Sequence, residues 1–209
     1  MNPETEKRRR RNSEMGYSLI ELIGALVLTL VILSIAVTVF TAALGSRLRE
    51  TGNTDAVTSA QAALNVMSRE IGNSGYGLST NGIVFADTNR KKLRIRANIN
   101  NQNNQTDTAG EDVQFFYDSA SQSVVRYDRN TGTVSGMINQ VSDVDFIYTD
   151  FAPNGSTTTS TTAASVNTGR VTINLQVILP DVQGQPANRR VQVSTDVTLR
   201  NSTYHLGQY

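Results

Sequence analysis

Glu21 is the residue of this chain whose position demands a chemical partner. It stands at the mouth of a run, Leu22 to Leu44, that contains no charged side chain. An unpaired carboxylate drawn into hydrocarbon costs roughly 3 kcal/mol, so an acid at the edge of such a run must stay at the surface or meet a cation. Just upstream lies Met15-Gly16-Tyr17-Ser18-Leu19-Ile20, a glycine followed by an aromatic and a small hydroxyl residue. The remainder offers little that could do covalent chemistry. There is no cysteine, which removes disulfides, thiolate metal sites and thiol redox chemistry. His205 is the single histidine, so a histidine-based triad or a multi-histidine metal site cannot be assembled. Its expected place is the surface of a frayed C-terminal tail. Asp143, Asp145 and Asp150 carry oxygens of the kind calcium takes, but lack the ligand spacing and glycine of a calcium loop. Alternation with Val144 and Phe146 puts Asp143 and Asp145 on the wet face of a strand instead. Lys91, Lys92, Arg94 and Arg96 form a basic stripe that could contact phosphates. Few aromatics interleave it, and a solvated strand face accounts for it. No Gly-rich phosphate loop follows a predicted strand. No catalytic residue, cofactor site or metal site is expected, and the chain does not read as an enzyme.

The apolar run sets the first positioning element. Its 23 residues would rise about 35 Å as a helix, enough to cross a hydrocarbon core of about 30 Å with some tilt. Thr29, Ser34, Thr38 and Thr41 are compatible with that environment if their hydroxyls bond back to helix carbonyls. A cleaved secretory signal would have an apolar region of roughly 7–15 residues and a small-residue cleavage site. This run is too long, and Ala42-Ala43-Leu44 is a poor site. A plain membrane anchor fits the span itself equally well; the residues from Gly16 to Glu21 make the difference.

Those residues resemble the class III signal of type IV prepilins and pseudopilins. The resemblance implies cleavage after Gly16 by a prepilin peptidase and N-methylation of Tyr17. Glu21 then becomes the fifth mature residue, the family's assembly glutamate. The family more often has Phe then Thr where this chain has Tyr17 and Ser18; both keep the chemical type. The first 16 residues hold five basic and three acidic residues, leaving 14 and 15 behind them. The run Arg8 to Arg11 thus belongs to a leader that the positive-inside rule keeps in the cytoplasm. Four arginines in a row also occur in nucleic-acid-binding arms, but here they abut a membrane-length span. The resemblance further implies that the new Tyr17 amine is neutralised by Glu21, of the same subunit or of a neighbour. In a helix bundle that pair is poorly screened and favours one axial register.

Past Arg47 the sequence turns polar yet stays helical. Val57, Ala60, Leu64, Met67 and Ile71 recur at spacings of 3 and 4, one face of an amphipathic helix. Gly45 and Gly52 are positions where it could bend. Arg69 and Glu70 are expected to face away from the stripe, and Gly72, Gly75 and Gly77 end the helix. The stretch Leu64 to Ile71 followed by Gly75-Tyr76-Gly77 resembles PilW-type minor pilins and J-type pseudopilins. Beyond Gly82 the hydrophobic period becomes two, predicting strands at Ile83–Phe85, Lys92–Ile99, Asp112–Tyr117, Ser123–Asp128, Thr133–Ile138, Asp143–Tyr148, Arg170–Leu179 and Arg190–Leu199. Asp128 to Gly132 reads as a hairpin turn. Stretches 98–108, 153–164 and 181–188 read as solvent loops; the second is rich enough in Ser and Thr to offer hydroxyls for O-glycosylation.

The expected architecture is α+β: a leader over 1–16, a transmembrane and assembly helix over 17–45, an amphipathic half over 46–75 and a β-rich head over 76–209. Helix and antiparallel sheet together give the lollipop of the pilin family. The resemblance implies a minor pilin that joins or primes a fibre. Its partners are the prepilin peptidase, other pilins or pseudopilins and the inner membrane, with no nucleic acid expected. Before assembly it would span the inner membrane once with its head in the periplasm. Afterwards it would lie in an extracellular pilus or a periplasmic pseudopilus. A type II secretion pseudopilin is the nearest alternative. An adhesin or DNA-uptake module displayed on the fibre is the alternative of another class.

Overall fold

The computed structural model describes residues 17–100, 105–182 and 186–207. It is α+β, a long N-terminal helix followed by antiparallel sheets. Two compact units divide it, residues 1–48 and 49–209. Helix α1 runs unbroken over Leu19–Gly72, through both Gly45 and Gly52.

In the first unit the described residues are Tyr17, Ser18 and the helix from Leu19 onward. The carbonyl of Ser18 accepts the first helical hydrogen bonds, from the N–H groups of Glu21 and Leu22 at 3.0 and 3.1 Å. The leader predicted over 1–16 lies outside the described residues.

In the second unit α1 buries Ala60, Ala63, Leu64, Met67 and Ile71. This is the predicted stripe widened by Ala63, with Val57 half-buried at its start. The helix stops at a loop tied from several sides. Gly75 and Gly82 both have positive φ, and a Cβ on either would come within 2.3 Å of backbone atoms, so no side chain fits there. The Asn201 amide donates to the carbonyls of Gly75, Leu78 and Thr80, and the Asn81 amide to those of Ser165 and Thr168.

Eight strands follow: β1 Lys92–Arg96, β2 Asp112–Asp118, β3 Ser123–Asp128, β4 Thr133–Ile138, β5 Val141–Phe151, β6 Thr157–Ser160, β7 Thr168–Ile178 and β8 Arg190–Thr198. They form two four-stranded sheets, β1-β2-β3-β4 and β6-β5-β7-β8, rather than the single sheet expected. All pairings are antiparallel. The residues predicted as a first strand at Ile83–Phe85 make only an isolated bridge, Ile83 to Ile95, before a 3-10 turn at Phe85–Asp87. β1 ends at Arg96 instead of Ile99: the Ala97 N–H still reaches the Glu111 carbonyl across from it, but the Asn98 N–H turns away to Tyr76. The predicted loop at 153–164 contains β6, whose Thr residues add an edge to β5. Threonine is β-branched and suits an exposed edge; its polarity hid the strand. The hairpin at Asp128 to Gly132 is present, with the Asp128 carboxylate accepting the Asn130 N–H at 3.1 Å and Gly132 at φ +70°.

One core joins the elements of this unit. Leu93, Phe115 and Val124 come from the first sheet, Phe146, Tyr148, Ile173 and Leu175 from the second, and Leu64 and Met67 from α1. Tyr148 is fully buried, with its hydroxyl donating to the carbonyl of Asn89 at 2.8 Å. Burial pushes its phenol well above the ordinary tyrosine range. A short terminal helix, α2 (Thr203–Leu206), closes the described chain.

Candidate functional site

Two of the sequence-derived candidates, Tyr17 and Glu21, are described at the start of α1. Gly16 lies outside the described residues. Tyr17 is 84% exposed, and Glu21 sits exposed in the first helical turn. A carboxylate there is favoured by the unpaired N–H groups of the helix end, by about 0.3–1 kcal/mol. From Leu19 to Leu44 every described side chain is exposed, and α1 is long and apolar enough to cross a membrane. Its hydroxyls do not interrupt that surface. Thr29 donates to the Ala25 carbonyl at 2.7 Å, Ser34 to Val31 at 2.8 Å, Thr38 to Ser34 at 2.8 Å, and Thr41 to both Val37 and Thr38. Each polar hydrogen is thus returned to the helix, as a hydrocarbon environment requires. Glu21 stands alone as the charge at the mouth of this surface.

The basic stripe is not the solvated face expected. Arg94 is buried, and its guanidinium forms a two-pronged pair with Asp112 at 2.7 and 2.6 Å and also meets Asp87. Arg96 donates to the same Asp112 at 2.9 Å, and Lys92 lies 3.9 Å from Asp87. Bonding to Asp112 holds Arg94 above the ordinary guanidine range despite burial. Burial alone would raise the Asp112 carboxyl; the hydrogen bonds from Arg94 and Arg96 outweigh it and hold it below the usual carboxylate range. Lys91 and Arg90 turn instead to β5. Arg90 grips Asp145 at 2.5 and 2.6 Å, while Lys91 bridges Asp143 and Asp145. Asp143 and Asp145 therefore bind the turn before β1 in the first sheet onto the second. Asp150 serves elsewhere, accepting from Ser165 and Thr168 at 2.5 Å. The three aspartates do not converge, and among the described residues no group of acids or histidine has a metal-holding arrangement.

Composition had shown the cations of the stripe but not their partners. Asp112 stands directly opposite Arg96 in the β1–β2 register, and Asp87, Asp143 and Asp145 come from other elements; all four required the fold. Glu70 is likewise a correction. It does not simply face away from the core stripe, because both its oxygens accept from Arg126 Nε on β3, at 3.0 and 2.9 Å. His205 is half-buried in the capped α2 rather than in a frayed tail, with its N–H donating to the Ser202 hydroxyl.

No protein-family model, curated protein or solved structure matches this chain. The functional reading rests on the residues, and the start of α1 is where an unused charge and an uncovered surface coincide.

Proposed function

We propose that this chain is a minor type IV pilin, cut by a prepilin peptidase after Gly16 and incorporated into, or priming, a pilus fibre through the helix that follows Tyr17. The observation that carries the reading is Glu21 in the first turn of a helix whose next residues expose apolar side chains and self-bonded hydroxyls. Cleavage creates an amine at Tyr17, four residues before Glu21 and just ahead of the first helical turn that holds it. In the inner membrane that amine sits at the headgroup level while the apolar surface lies in lipid. In the fibre the surface transfers to neighbouring helices, and Glu21 meets the amine of its own or an adjacent subunit. Because charges in such a bundle are weakly screened, the pairing selects register more than it adds stability. The role is assembly, with no turnover.

The ion pairs of β1 argue against a nucleic-acid role for its basic stripe. Lys91, Lys92, Arg94 and Arg96 each face a carboxylate, so the stripe has little charge left for a phosphate backbone.

Mass spectrometry of the native protein tests the proposal. The expected species begins at a methylated Tyr17. An intact Met1, or a cut near residue 44, overturns it. Co-purification with pilus components or with a type II secretion system then distinguishes the minor pilin from the pseudopilin.

A further inference from the structure

Two motifs of the sequence, the Arg69-Glu70 pair and the Gly75-Tyr76-Gly77 turn, take no part in the assembly chemistry, yet the fold brings both to one cleft. It opens between the last turns of α1 and strands β1 and β3, and its volume is about 460 Å³. Small-molecule sites span about 300–1,000 Å³.

The cleft has two kinds of wall. One is aliphatic and aromatic: Ile95 and Ala97 below, with Ile99 59% exposed and Tyr76 56% exposed at the rim. Large side chains left open beside a concavity are what a ligand's apolar face needs. The other wall is made of planar polar groups. Arg69 lies in the last turn of α1 and Asn73 just past its end, and beside them Glu70 reaches across to Arg126. Arg126 engages Glu70 through Nε alone, which leaves its terminal N–H donors without a partner among the described residues. Arg69 has no ion pair among the described residues.

Charge narrows the ligand class. Two guanidinium groups are balanced by Glu70 and by Glu111, whose buried carboxylate accepts the N–H groups of Asn100 and Thr108 at 3.1 and 3.0 Å. A polyanion would meet two carboxylates, and a cation would meet two guanidinium groups. A neutral ligand whose hydroxyls both donate and accept, and which has one flat C–H face, satisfies both walls at once. The geometry points to a neutral saccharide, its ring face on Tyr76 and Ile99 and its hydroxyl edge toward Arg69, Asn73 and the Glu70–Arg126 pair. The site is already built: the ion pair ties α1 to β3, and the Asn98 N–H holds the Tyr76 carbonyl at 2.7 Å. Such preorganisation reduces the ordering cost of binding. The inference goes beyond fibre assembly and does not depend on it.

Saturation-transfer NMR on the full chain in phosphocholine micelles tests it; maltoside or glucoside detergents would compete for the cleft. The probes are a panel of neutral mono- and disaccharides, with N-acetylneuraminate and a glutamate-containing tetrapeptide as anionic controls. At least one neutral sugar should receive saturation at its ring C–H protons. Tyr76→Ala should weaken that sugar about tenfold and Arg69→Ala by a smaller factor, with melting curves unchanged. Absence of transfer to any neutral sugar overturns the inference. So does unaltered binding in both folded variants, or tighter binding of the anionic controls than of every sugar.

Discussion

Leu33 and Met67 lie on the same helix; the first is 56% exposed and the second is fully buried. In the unit from Arg49 onward, α1 is stabilised by a face of Ala60, Leu64, Met67 and Ile71 set into a shared core. From Leu19 to Leu44 the helix shows its backbone ladder and back-bonded hydroxyls, with its apolar side chains uncovered. Helices in water owe most of their stability to tertiary burial, so the first half requires cover from lipid or from other helices. The difference teaches that helical periodicity and apolar content are separate signals. An amphipathic stripe marks a helix that its own chain covers, while an apolar surface all round marks one that something else covers.

The largest effect should come from placing the same charge in both halves. Met67→Asp leaves an unpaired carboxylate in the core, at a cost comparable to the whole stability of a domain, about 5–15 kcal/mol. The second unit should lose its cooperative melt and near-ultraviolet dichroism. Leu33→Asp should leave that melt intact and instead reduce retention in membranes, by roughly 3 kcal/mol of insertion free energy. A lowered melt in Leu33→Asp would break the comparison.

Next in size is Asp112→Ala. It removes the two-pronged partner of the buried Arg94 guanidinium and leaves it Asp87 alone. Removing one member of a buried pair costs about 3–5 kcal/mol, and a urea titration should show it as a lower midpoint with an unchanged slope. A loss below about 1 kcal/mol would place Arg94 with ordinary surface pairs.

These two substitutions also mark how far the sequence could be read. Alternation from Arg190 to Leu199 located β8, and the stripe from Ala60 to Ile71 located the buried face of α1, because one-sided burial imposes a period on the residues. Glu21 was equally plain, because its meaning comes from the uncharged neighbours beside it in sequence. What stayed hidden depends on residues far apart in the chain. Arg94 looked solvated because alternation reports only which face a residue occupies, while Asp87 and Asp112 turn that face into an ion-pair network. The split into two sheets was invisible for the same reason: strand order is set by contacts such as that between Phe146 N–H and the Arg90 carbonyl. β6 was lost because Thr157 to Ser160 is polar on both faces and has no alternation to read.

Glu21→Ala should sharpen the comparison from the other side. Glu21 is exposed and takes no part in the core of the second unit, so the melt of that unit should stay at the wild-type temperature. If the chain is the minor pilin proposed above, incorporation into sheared fibres should fall about tenfold or more, the loss of one poorly screened pair per subunit. Quantitative immunoblotting of the fibre and membrane fractions reads both numbers. Full incorporation would remove Glu21 from the proposed assembly mechanism, whatever the N-terminal processing proves to be.

The smallest effect belongs to the clamp between the sheets. Arg90 and Lys91 are about half exposed where they grip Asp145, so Asp145→Asn should cost under about 1 kcal/mol. Its signature is in the pH dependence. Hydrogen bonding from Arg90 holds the Asp145 carboxyl below the ordinary range, against a smaller opposing push from burial. A carboxyl depressed in the folded state binds fewer protons there than in the unfolded chain, so stability falls as pH falls. Its contribution is complete above about pH 4, near the unfolded aspartate value, and disappears as the pH drops through the lower folded value. Asp112 behaves in the same sense. Acid denaturation of the wild type should therefore begin below about pH 4. Asp145→Asn should flatten that acid limb slightly and Asp112→Ala more, with neither altering the trend above pH 6. Stability that rose on acidification would reverse the sign and show that the carboxylates of this unit are not held by their cations.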